Sequence, residues 1–344
     1  MSISKSVLVL SLSLIFSTNF AQGKDTSTQL NVYTSRHYDA DVLMAQNFEK
    51  KTGIQVNLIQ IKEASQLIAR VQEEKDKTQA DLVITTDVGN LWRAAESGVF
   101  QPFQSKIIET TVPAAYRDAT NLWTGFAVRV RLLAFNKQKL KAEQLSKMED
   151  LAKPSLKGRV LVRSSNHVYN QSLAATLLAA GGREALLNWA KGVTGNLARK
   201  PQGGDTDQLK AIAAGEGDVA IVNSYYVARL LDSENPKDRQ VMENISIVFP
   251  DQDGRGAHAN VSGGGITKHS KNKANAMRYL EYLVSQEGQK EFSAASKEYP
   301  VVDSVPVPAA LQKYGRPKFD LKGLSQIGKH TPDALQVLDE VGWR

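Results

Sequence analysis

Short apolar segments alternate with amphipathic segments along most of this chain, and this alternation restricts its possible folds more than any other feature. Three segments have the composition or two-residue alternation of strands: residues 30–33, 54–61 and 81–85. Three others place apolar side chains at helical spacing: residues 42–48, 65–71 and 91–98. Asp39 and Ser65 are predicted to cap the first two of these helices. The order strand, helix, strand, helix predicts a sheet with helices on both faces.

A second unit of the same kind follows. Its predicted strands and helices are residues 158–164, 172–180, 185–193, 207–213 and 217–223, and the pair Gly181-Gly182 separates the first two helices. Three successive glycines at 263–265 then lie in a short strand that leads into a further amphipathic helix. We therefore expect two α/β units.

Two such units predict an α/β fold with two lobes around a ligand cleft, each lobe a mixed sheet flanked by helices. Residues 125–136 are predicted to be a strand that crosses between the lobes, and the chain is expected to cross back near residues 245–250. The boundaries that follow assign residues 24–127 plus 253–303 to lobe 1. Lobe 2 then contains residues 128–252 plus 304–344.

The first residues have the layout of a secretory signal peptide. Lys5 precedes a ten-residue apolar run over residues 7–16, and Ala21-Gln22-Gly23 offers a small-x-small cleavage site. A membrane anchor is the alternative, but spanning a bilayer takes about 20 apolar residues. Residues 1–23 are therefore predicted to be a signal peptide, and the mature protein is expected in the periplasm.

Composition excludes several classes of function. The chain of 344 residues contains no Cys, which excludes disulfides, thiolate metal sites and a thiol nucleophile. Its formal charge of +7 comes from 43 basic and 36 acidic residues that are interleaved, without a dense basic block, so nucleic-acid binding is not expected. No G-x-S-x-G, H-E-x-x-H or P-loop motif is present, and we do not expect an enzyme.

Tyrosines follow three of the predicted strands. In open α/β sheets, ligands bind beyond the carboxyl ends of strands, and the loops there contain His37, Tyr38, Tyr169, Tyr225 and Tyr226. Phenolate is a hard anionic oxygen ligand, and a phenol of pKa ~10 ionises at neutral pH only when a highly charged cation such as Fe³⁺ displaces its proton. The pattern indicates a ferric site. Packing of the tyrosine rings, or stacking on an organic solute such as a polyamine or a sugar, remains the alternative.

Arginines near these tyrosines could balance the charge of several phenolates and lower their pKa values. Arg129 and Arg131 lie on the predicted crossing strand, and Arg229 lies one helical turn beyond Tyr225. The other histidines are expected to have no part in the site. His167 is predicted to point away from Tyr169, and His258, His269 and His330 are predicted to lie on the surface. Trp92 and Trp123 are predicted to lie in the core.

The chain resembles the periplasmic ferric-ion-binding proteins of bacterial iron ABC transporters, particularly the cyanobacterial iron-deficiency-induced branch. Two short motifs are the most specific part of the resemblance: Tyr-Tyr-x-x-Arg at 225–229 and Asn-x-x-Tyr-Asn-Gln at 166–171. The wider similarity lies in residues 31–39, 125–137, 162–173, 217–230 and 261–301, and it extends over essentially the whole mature chain.

The resemblance implies the type II periplasmic binding protein fold, with Fe³⁺ held in the cleft and delivered to an inner-membrane ABC permease by a monomer. Tyr38, Tyr169, Tyr225 and Tyr226 fall on the phenolate positions of the family. His37 falls where relatives have either a ligand or a nearby histidine. Arg129 and Arg229 fall on positions beside the ligands. Some relatives combine two tyrosines with His, Glu and a bound anion, whereas Tyr38 and Tyr169 resemble the branch of the family that needs no added anion. Completion of the coordination by a water or a small anion is left open.

Overall fold

The computed structural model describes residues 28–344, so the predicted signal peptide lies outside the described residues. The strands are β1 (Gln29–Thr34), β2 (Gln55–Gln60), β3 (Leu82–Thr86), β4 (Thr124–Asn136), β5 (Val160–Leu161), β6 (Val219–Asn223), β7 (Ile245–Val248), β8 (Ala259–Ile266) and β9 (Tyr299–Pro300). The helices are α1 (Asp39–Thr52), α2 (Ala64–Glu74), α3 (Val88–Glu96), α4 (Lys106–Thr111), α5 (Val168–Gly195), α6 (Asp205–Ala213), α7 (Ser224–Leu231), α8 (Pro236–Val241), α9 (Lys273–Val284), α10 (Gln286–Ser296), α11 (Leu321–Leu324) and α12 (Ile327–Glu340). The predicted alternation of strands and helices is confirmed.

One strand joins the two halves of the sheet. The strand order is β2-β1-β3-β8-β4-β6-β5, and β7 and β9 also pair with β4. The first half of β4 pairs antiparallel with β8, and its second half, from Arg131 onward, pairs antiparallel with β6 and β7. The prediction that residues 125–136 cross between two α/β units is therefore confirmed. The lobe boundaries stay a prediction.

Three of the predicted elements begin or end elsewhere. Only Val160–Leu161 form a strand within residues 158–164, because the chain then leaves the sheet and the carbonyls of Arg163 and Ser164 accept hydrogen bonds from Asn170 Nδ2. The predicted caps are also wrong. Tyr38 and Glu63 precede α1 and α2 without a side-chain capping bond, and Asp39 and Ser65 lie within the first turns.

The break between two helices at Gly181-Gly182 is confirmed. Gly182 has φ 79° and ψ 177° inside α5, which lies outside the helical region and is accessible to glycine. The first part of α5 contains Tyr169 in its first turn. The second part packs against Trp343 through Trp189, and the ring centroids of these two residues are 5.4 Å apart.

The sheet is covered on both faces, and even its arginines are buried. Every residue of β4 except Asn136 is buried, and Arg129 and Arg131 are each only 1% exposed. Trp123 lies in the core as predicted, but Trp92 is 37% exposed. One face of the Trp92 indole packs against Gly328, where a Cβ in place of the glycine hydrogen would come within 2.3 Å of the ring. The other face of the indole is exposed. Within residues 28–344, no helix is long and apolar enough to cross a membrane.

Candidate functional site

Three tyrosine hydroxyls meet where three helices begin. Tyr38 immediately precedes α1, whereas Tyr169 and Tyr225 are the second residues of α5 and α7. The hydroxyl oxygens of Tyr169 and Tyr225 are 3.0 Å apart. The Tyr38 oxygen lies 3.5 Å from that of Tyr169 and 3.4 Å from that of Tyr225. The three oxygens thus form a triangle, although their residues are distant in the sequence.

Tyr226 lies against the same group. Its ring is 4.2 Å from the ring of Tyr225, centroid to centroid, with 31° between the planes. Tyr226 is partly exposed, whereas Tyr225 is buried. All four tyrosines predicted from the sequence therefore belong to one cluster, in which Tyr226 contacts Tyr225 at the edge of the triangle.

Burial governs the ionisation of these phenols. Burial raises the pKa of Tyr169 and of Tyr225 well above the usual value, and the neighbouring tyrosines raise both further. Burial likewise raises the pKa of Tyr226, and the Asp205 carboxylate adds to that effect. These three phenols are consequently protonated at neutral pH in the ion-free protein. A cation must displace their protons in order to bind them.

The predicted arginines lie beside the tyrosine rings. The Cζ of Arg129 is 5.4 Å from the ring centroid of Tyr169. The Cζ of Arg229 is 5.1 Å from the centroid of Tyr38 and 4.9 Å from that of Tyr225. Each guanidinium therefore places positive charge where phenolates would form, and Arg129 counteracts the raised pKa of Tyr169.

Two further arginines that sequence reasoning missed have the same relationship to the tyrosines. The Cζ of Arg36 is 4.7 Å from the centroid of Tyr38, and the Cζ of Arg163 is 5.2 Å from that of Tyr169. Arg36 is fully buried and donates to Asp41 and to Glu298. Their positions in the sequence could have indicated this role, because each arginine lies at or just after the end of a predicted strand and shortly precedes the tyrosine that it contacts.

The histidine predictions are partly wrong. His37 is exposed, and its ring lies 5.0 Å from that of Tyr38. His167 was expected to point away, yet its ring lies 4.2 Å from that of Tyr169. The cause is helix capping: His167 precedes α5, and its Nδ1 accepts a hydrogen bond from the Tyr169 N–H, which turns the ring over the first turn.

His258 was predicted to lie on the surface and is instead 6% exposed, with its Nδ1 2.9 Å from Thr176 Oγ1. Burial, reinforced by nearby arginines, lowers the pKa of both His167 and His258 to about 3. Both rings are thus neutral at neutral pH. His269 is exposed as predicted, and His330 is partly buried.

A polar cavity of about 330 Å³ adjoins Tyr38 and Tyr169. Besides these tyrosines it is lined by His37, His167, Lys62, Arg93, Ser35, Ser65, Thr86, Asn90, Asn166, Gln171, Glu63, Ala64 and Val168. Cationic groups and neutral donors predominate in this lining. The cavity can therefore accommodate waters or a small anion next to the phenol oxygens.

A two-lobed α/β scaffold, joined by one long strand and carrying a polar, tyrosine-rich site on its helix N-termini, defines a solute-binding protein. The chain belongs to the family of bacterial extracellular solute-binding proteins, which matches residues 43–317.

Relatives in this family have names that refer to iron. Iron uptake protein A1 of Synechocystis sp. (strain ATCC 27184 / PCC 6803 / Kazusa) is 44% identical over 316 residues, which are 92% of this chain and 88% of the relative. Iron uptake protein A2 of the same organism is 41% identical over 320 residues, which are 92% of this chain and 91% of the relative.

Solved structures show the same architecture. A Trichodesmium protein described as IdiA or FutA, in complex with iron and citrate ligands, is 45% identical; the match covers 92% of this chain and 100% of that one, with a TM-score of 0.87. The ferric binding protein of Campylobacter jejuni is 40% identical with the same coverage and a TM-score of 0.86. These likenesses confirm the predicted two-lobed fold and the predicted family.

Proposed function

We propose that this protein captures Fe(III) outside the cytoplasm through the phenolates of Tyr38, Tyr169, Tyr225 and Tyr226, and delivers it to an ABC permease. The observation that carries the proposal is the triangle of hydroxyl oxygens, 3.0 to 3.5 Å apart. Oxygens at these separations can face one ion together. Ionising the buried phenols of Tyr169 and Tyr225 requires a cation of high charge, and Fe³⁺ has both that charge and a preference for hard oxygen ligands.

The names of the relatives support this cargo. The Synechocystis relatives are iron uptake proteins, and the Trichodesmium structure contains iron and citrate ligands. More distant relatives, 28% identical over 280 residues, are major ferric iron-binding proteins of Neisseria. Ferric iron is the one cargo that agrees with both the relatives and the phenol chemistry.

The surroundings of the tyrosines suit a bound ferric ion. Arg129 and Arg229 would offset the excess negative charge of four phenolates around a trivalent ion. We assign His37 to the same site because it lines the polar cavity beside Tyr38. A water or small anion in that cavity would complete the coordination.

An organic solute is the weaker alternative. A polyamine would be expected to face several carboxylates, whereas Glu63 is the only acidic residue among the described residues that line the polar cavity. A sugar would use the tyrosine rings as flat stacking surfaces. Here their hydroxyl oxygens converge instead, which favours an ion.

Export and delivery belong to the same proposal. Membership of an extracellular solute-binding family supports a location outside the cytoplasm, reached through the predicted signal peptide at residues 1–23. The family also supports an ABC permease as the partner, with this protein acting as a monomeric carrier rather than an enzyme. The proposed lobes are residues 24–127 plus 253–303 and residues 128–252 plus 304–344, and they would close around the ion by hinge motion.

A visible spectrum tests the proposal. Ferric nitrilotriacetate added to residues 24–344 should produce a phenolate-to-iron charge-transfer band. The double variant Tyr225→Phe/Tyr226→Phe should lose the band, whereas Tyr314→Phe, which lies outside the tyrosine cluster, should keep it. A wild-type protein that stays colourless after ferric nitrilotriacetate is added would contradict the proposal. Calorimetry with spermidine and with glucose tests the alternative, since binding that is indifferent to a chelator would favour an organic cargo.

A further inference from the structure

The buried carboxylate of Asp205 connects the elements that carry three of the four site tyrosines. Asp205 is the first residue of α6 and is 0% exposed. Its Oδ2 accepts from Arg131 Nη1 at 2.9 Å and from the Asn223 backbone N–H at 2.7 Å. Its Oδ1 accepts from Arg163 Nη1 at 3.1 Å. Donors from β4, from the loop after β5 and from the end of β6, immediately before α7, thus meet on one side chain.

We propose that Asp205 is a positioning residue, which holds α5 and α7 so that the hydroxyls of Tyr169 and Tyr225 converge on one ion. This inference rests on the proposed ferric function. Asp205 would not contact the ion itself. It acts through Arg131, Arg163 and Asn223.

The connection to α7 is direct. Asn223 immediately precedes α7, and Tyr225 and Tyr226 follow it within the first turn. The bond from the Asn223 N–H to Asp205 therefore restrains the backbone from which both tyrosine side chains project. Within residues 28–344, Asn223 Nδ2 and Ser224 Oγ are buried and have no hydrogen-bond partner. The carboxylate of Asp205 is therefore the charged group that holds the backbone at the start of α7.

The connection to α5 passes through Arg131 and Arg163, which both bond Asp205 and Asn170. Arg131 donates through Nη1 to Asp205 and through Nη2 to Asn170 Oδ1, the latter at 2.8 Å. Asn170 follows Tyr169 and also donates from Nδ2 to the Arg163 carbonyl at 2.7 Å. Because a guanidinium is planar and rigid, fixing one edge of Arg131 fixes the edge that it presents to α5.

The same cluster supplies a charge that suits a ferric site. Arg131 and Arg163 carry two positive charges against the single negative charge of Asp205. Their Cζ atoms are 5.9 and 5.2 Å from the ring centroid of Tyr169. Four phenolates around Fe³⁺ would carry one net negative charge, and the excess positive charge of this cluster would stabilise it together with Arg129 and Arg229.

The variant Asp205→Asn tests the hydrogen bonds of Asp205 without changing the size of its side chain. Asp205→Asn keeps the shape of the side chain but replaces one acceptor oxygen with an NH₂ donor. All three partners of Asp205 are donors, so the amide cannot satisfy them all. At least one buried donor would lose its bond, and the helix start or an arginine must shift.

The matched control is Asp207→Asn. Asp207 lies in the same first turn of α6 and its carboxylate accepts from the Gly204 N–H at 2.7 Å, but it is exposed. Both variants remove one acidic charge from the same helix end. Only the first removes the acceptor shared by Arg131, Arg163 and Asn223.

The experiment measures ferric affinity by competition with nitrilotriacetate, the position and intensity of the charge-transfer band, and thermal unfolding of the ion-free protein. Asp205→Asn should weaken ferric binding on the order of tenfold to a hundredfold, as expected for a lost bond to a charged group, and should alter the band. Asp207→Asn should retain both. Wild-type affinity and an unaltered band in Asp205→Asn overturn the inference, whatever happens to the unfolding temperature.

A second variant covers the case in which Asp205→Asn does not fold. Arg163→Lys keeps the charge but loses the planar group that faces Asp205, and it should give an altered band with a smaller loss of affinity. If Asp205→Asn cannot be folded, wild-type behaviour of Arg163→Lys overturns the inference. A colourless wild type would instead contradict the ferric function itself, so the two failures are distinguishable.

Discussion

The hydroxyl oxygens of Tyr169 and Tyr225 lie 3.0 Å apart although the residues are 56 positions apart in the chain. Both side chains are buried, and burial raises the pKa of both phenols, with a further rise from neighbouring tyrosines. Removing both protons without a cation would leave two negative charges in contact in a region of low polarity. The pair therefore makes ion binding and proton release a single coupled process.

Ferric binding is accordingly expected to release protons. At neutral pH, loading should release at least two protons, one from Tyr169 and one from Tyr225, because burial keeps both pKa values above the usual range. Apparent affinity should then rise with pH across the neutral range, since the ligands must be deprotonated. A pH-stat titration with ferric nitrilotriacetate measures the release, with a protein-free titration as the blank. Tyr225→Phe should release fewer protons, and an affinity that falls with rising pH would contradict this coupling.

Arg229 should strengthen ferric binding through charge. Its guanidinium lies within about 5 Å of the ring centroids of Tyr38 and Tyr225 and would stabilise negative charge on the bound ligands. Arg229→Gln should weaken ferric affinity by about threefold to thirtyfold, the range expected for a cation beside aromatic rings. Competition with nitrilotriacetate measures the change. Arg183→Gln removes the same charge from an exposed pair with Glu340 and should have no effect; equal losses in both variants would show that only the overall charge matters.

His258 should make the ion-free protein sensitive to acid. Burial lowers its pKa to about 3, so the folded state keeps this ring neutral while the unfolded chain binds a proton below about pH 6.5. Its stabilising contribution is therefore complete above pH 6.5 and is lost as the pH falls towards 3. His258→Gln should reduce the slope of unfolding free energy against pH by up to about 1.4 kcal/mol per pH unit. Denaturant unfolding between pH 4 and 7 measures it.

The matched control for that prediction is His269→Gln, because His269 is exposed. It should leave the slope unchanged. The prediction fails if His258→Gln and wild type lose stability in parallel as the pH falls.

Asp87 should contribute strongly to stability because it connects α3, α5 and β8. It is 0% exposed and accepts from Gly89 N at 2.8 Å, Ser172 Oγ at 2.6 Å and Asn260 Nδ2 at 2.7 Å. Asp87→Ala would leave these buried donors without an acceptor and should lower the free energy of unfolding by about 3 kcal/mol or more. Urea denaturation of the ion-free protein gives this value. Asp333→Ala, at an exposed site, should cost well under 1 kcal/mol; similar losses in both would refute the assigned role of Asp87.

Local patterns in the sequence were enough to predict most strands, six of the twelve helices in residues 28–344, and the presence of tyrosines after three strands. The prediction that these tyrosines lie in loops is correct only for Tyr38, because Tyr169, Tyr225 and Tyr226 lie in the first turns of α5 and α7. Local patterns were insufficient where a group distant in the sequence determines the backbone conformation. Residues 162–164 have strand character but leave the sheet to meet the Asn170 side chain. Asp205 carries no signal in the sequence, since an acidic residue in the first turn of a helix is ordinary. Its importance depends on the two arginines that meet it.

The sequence by itself determined the alternation of elements, the separation of two helices at Gly181-Gly182, and the presence of tyrosines at three strand ends, because each depends on neighbouring residues and on backbone preference. Only the tertiary structure decided that the hydroxyls of Tyr38, Tyr169 and Tyr225 meet, since their approach depends on packing between residues up to 187 positions apart. It also decided their protonation. Burial and charges from distant segments set the pKa of a phenol, and neither can be obtained from its neighbours in the chain.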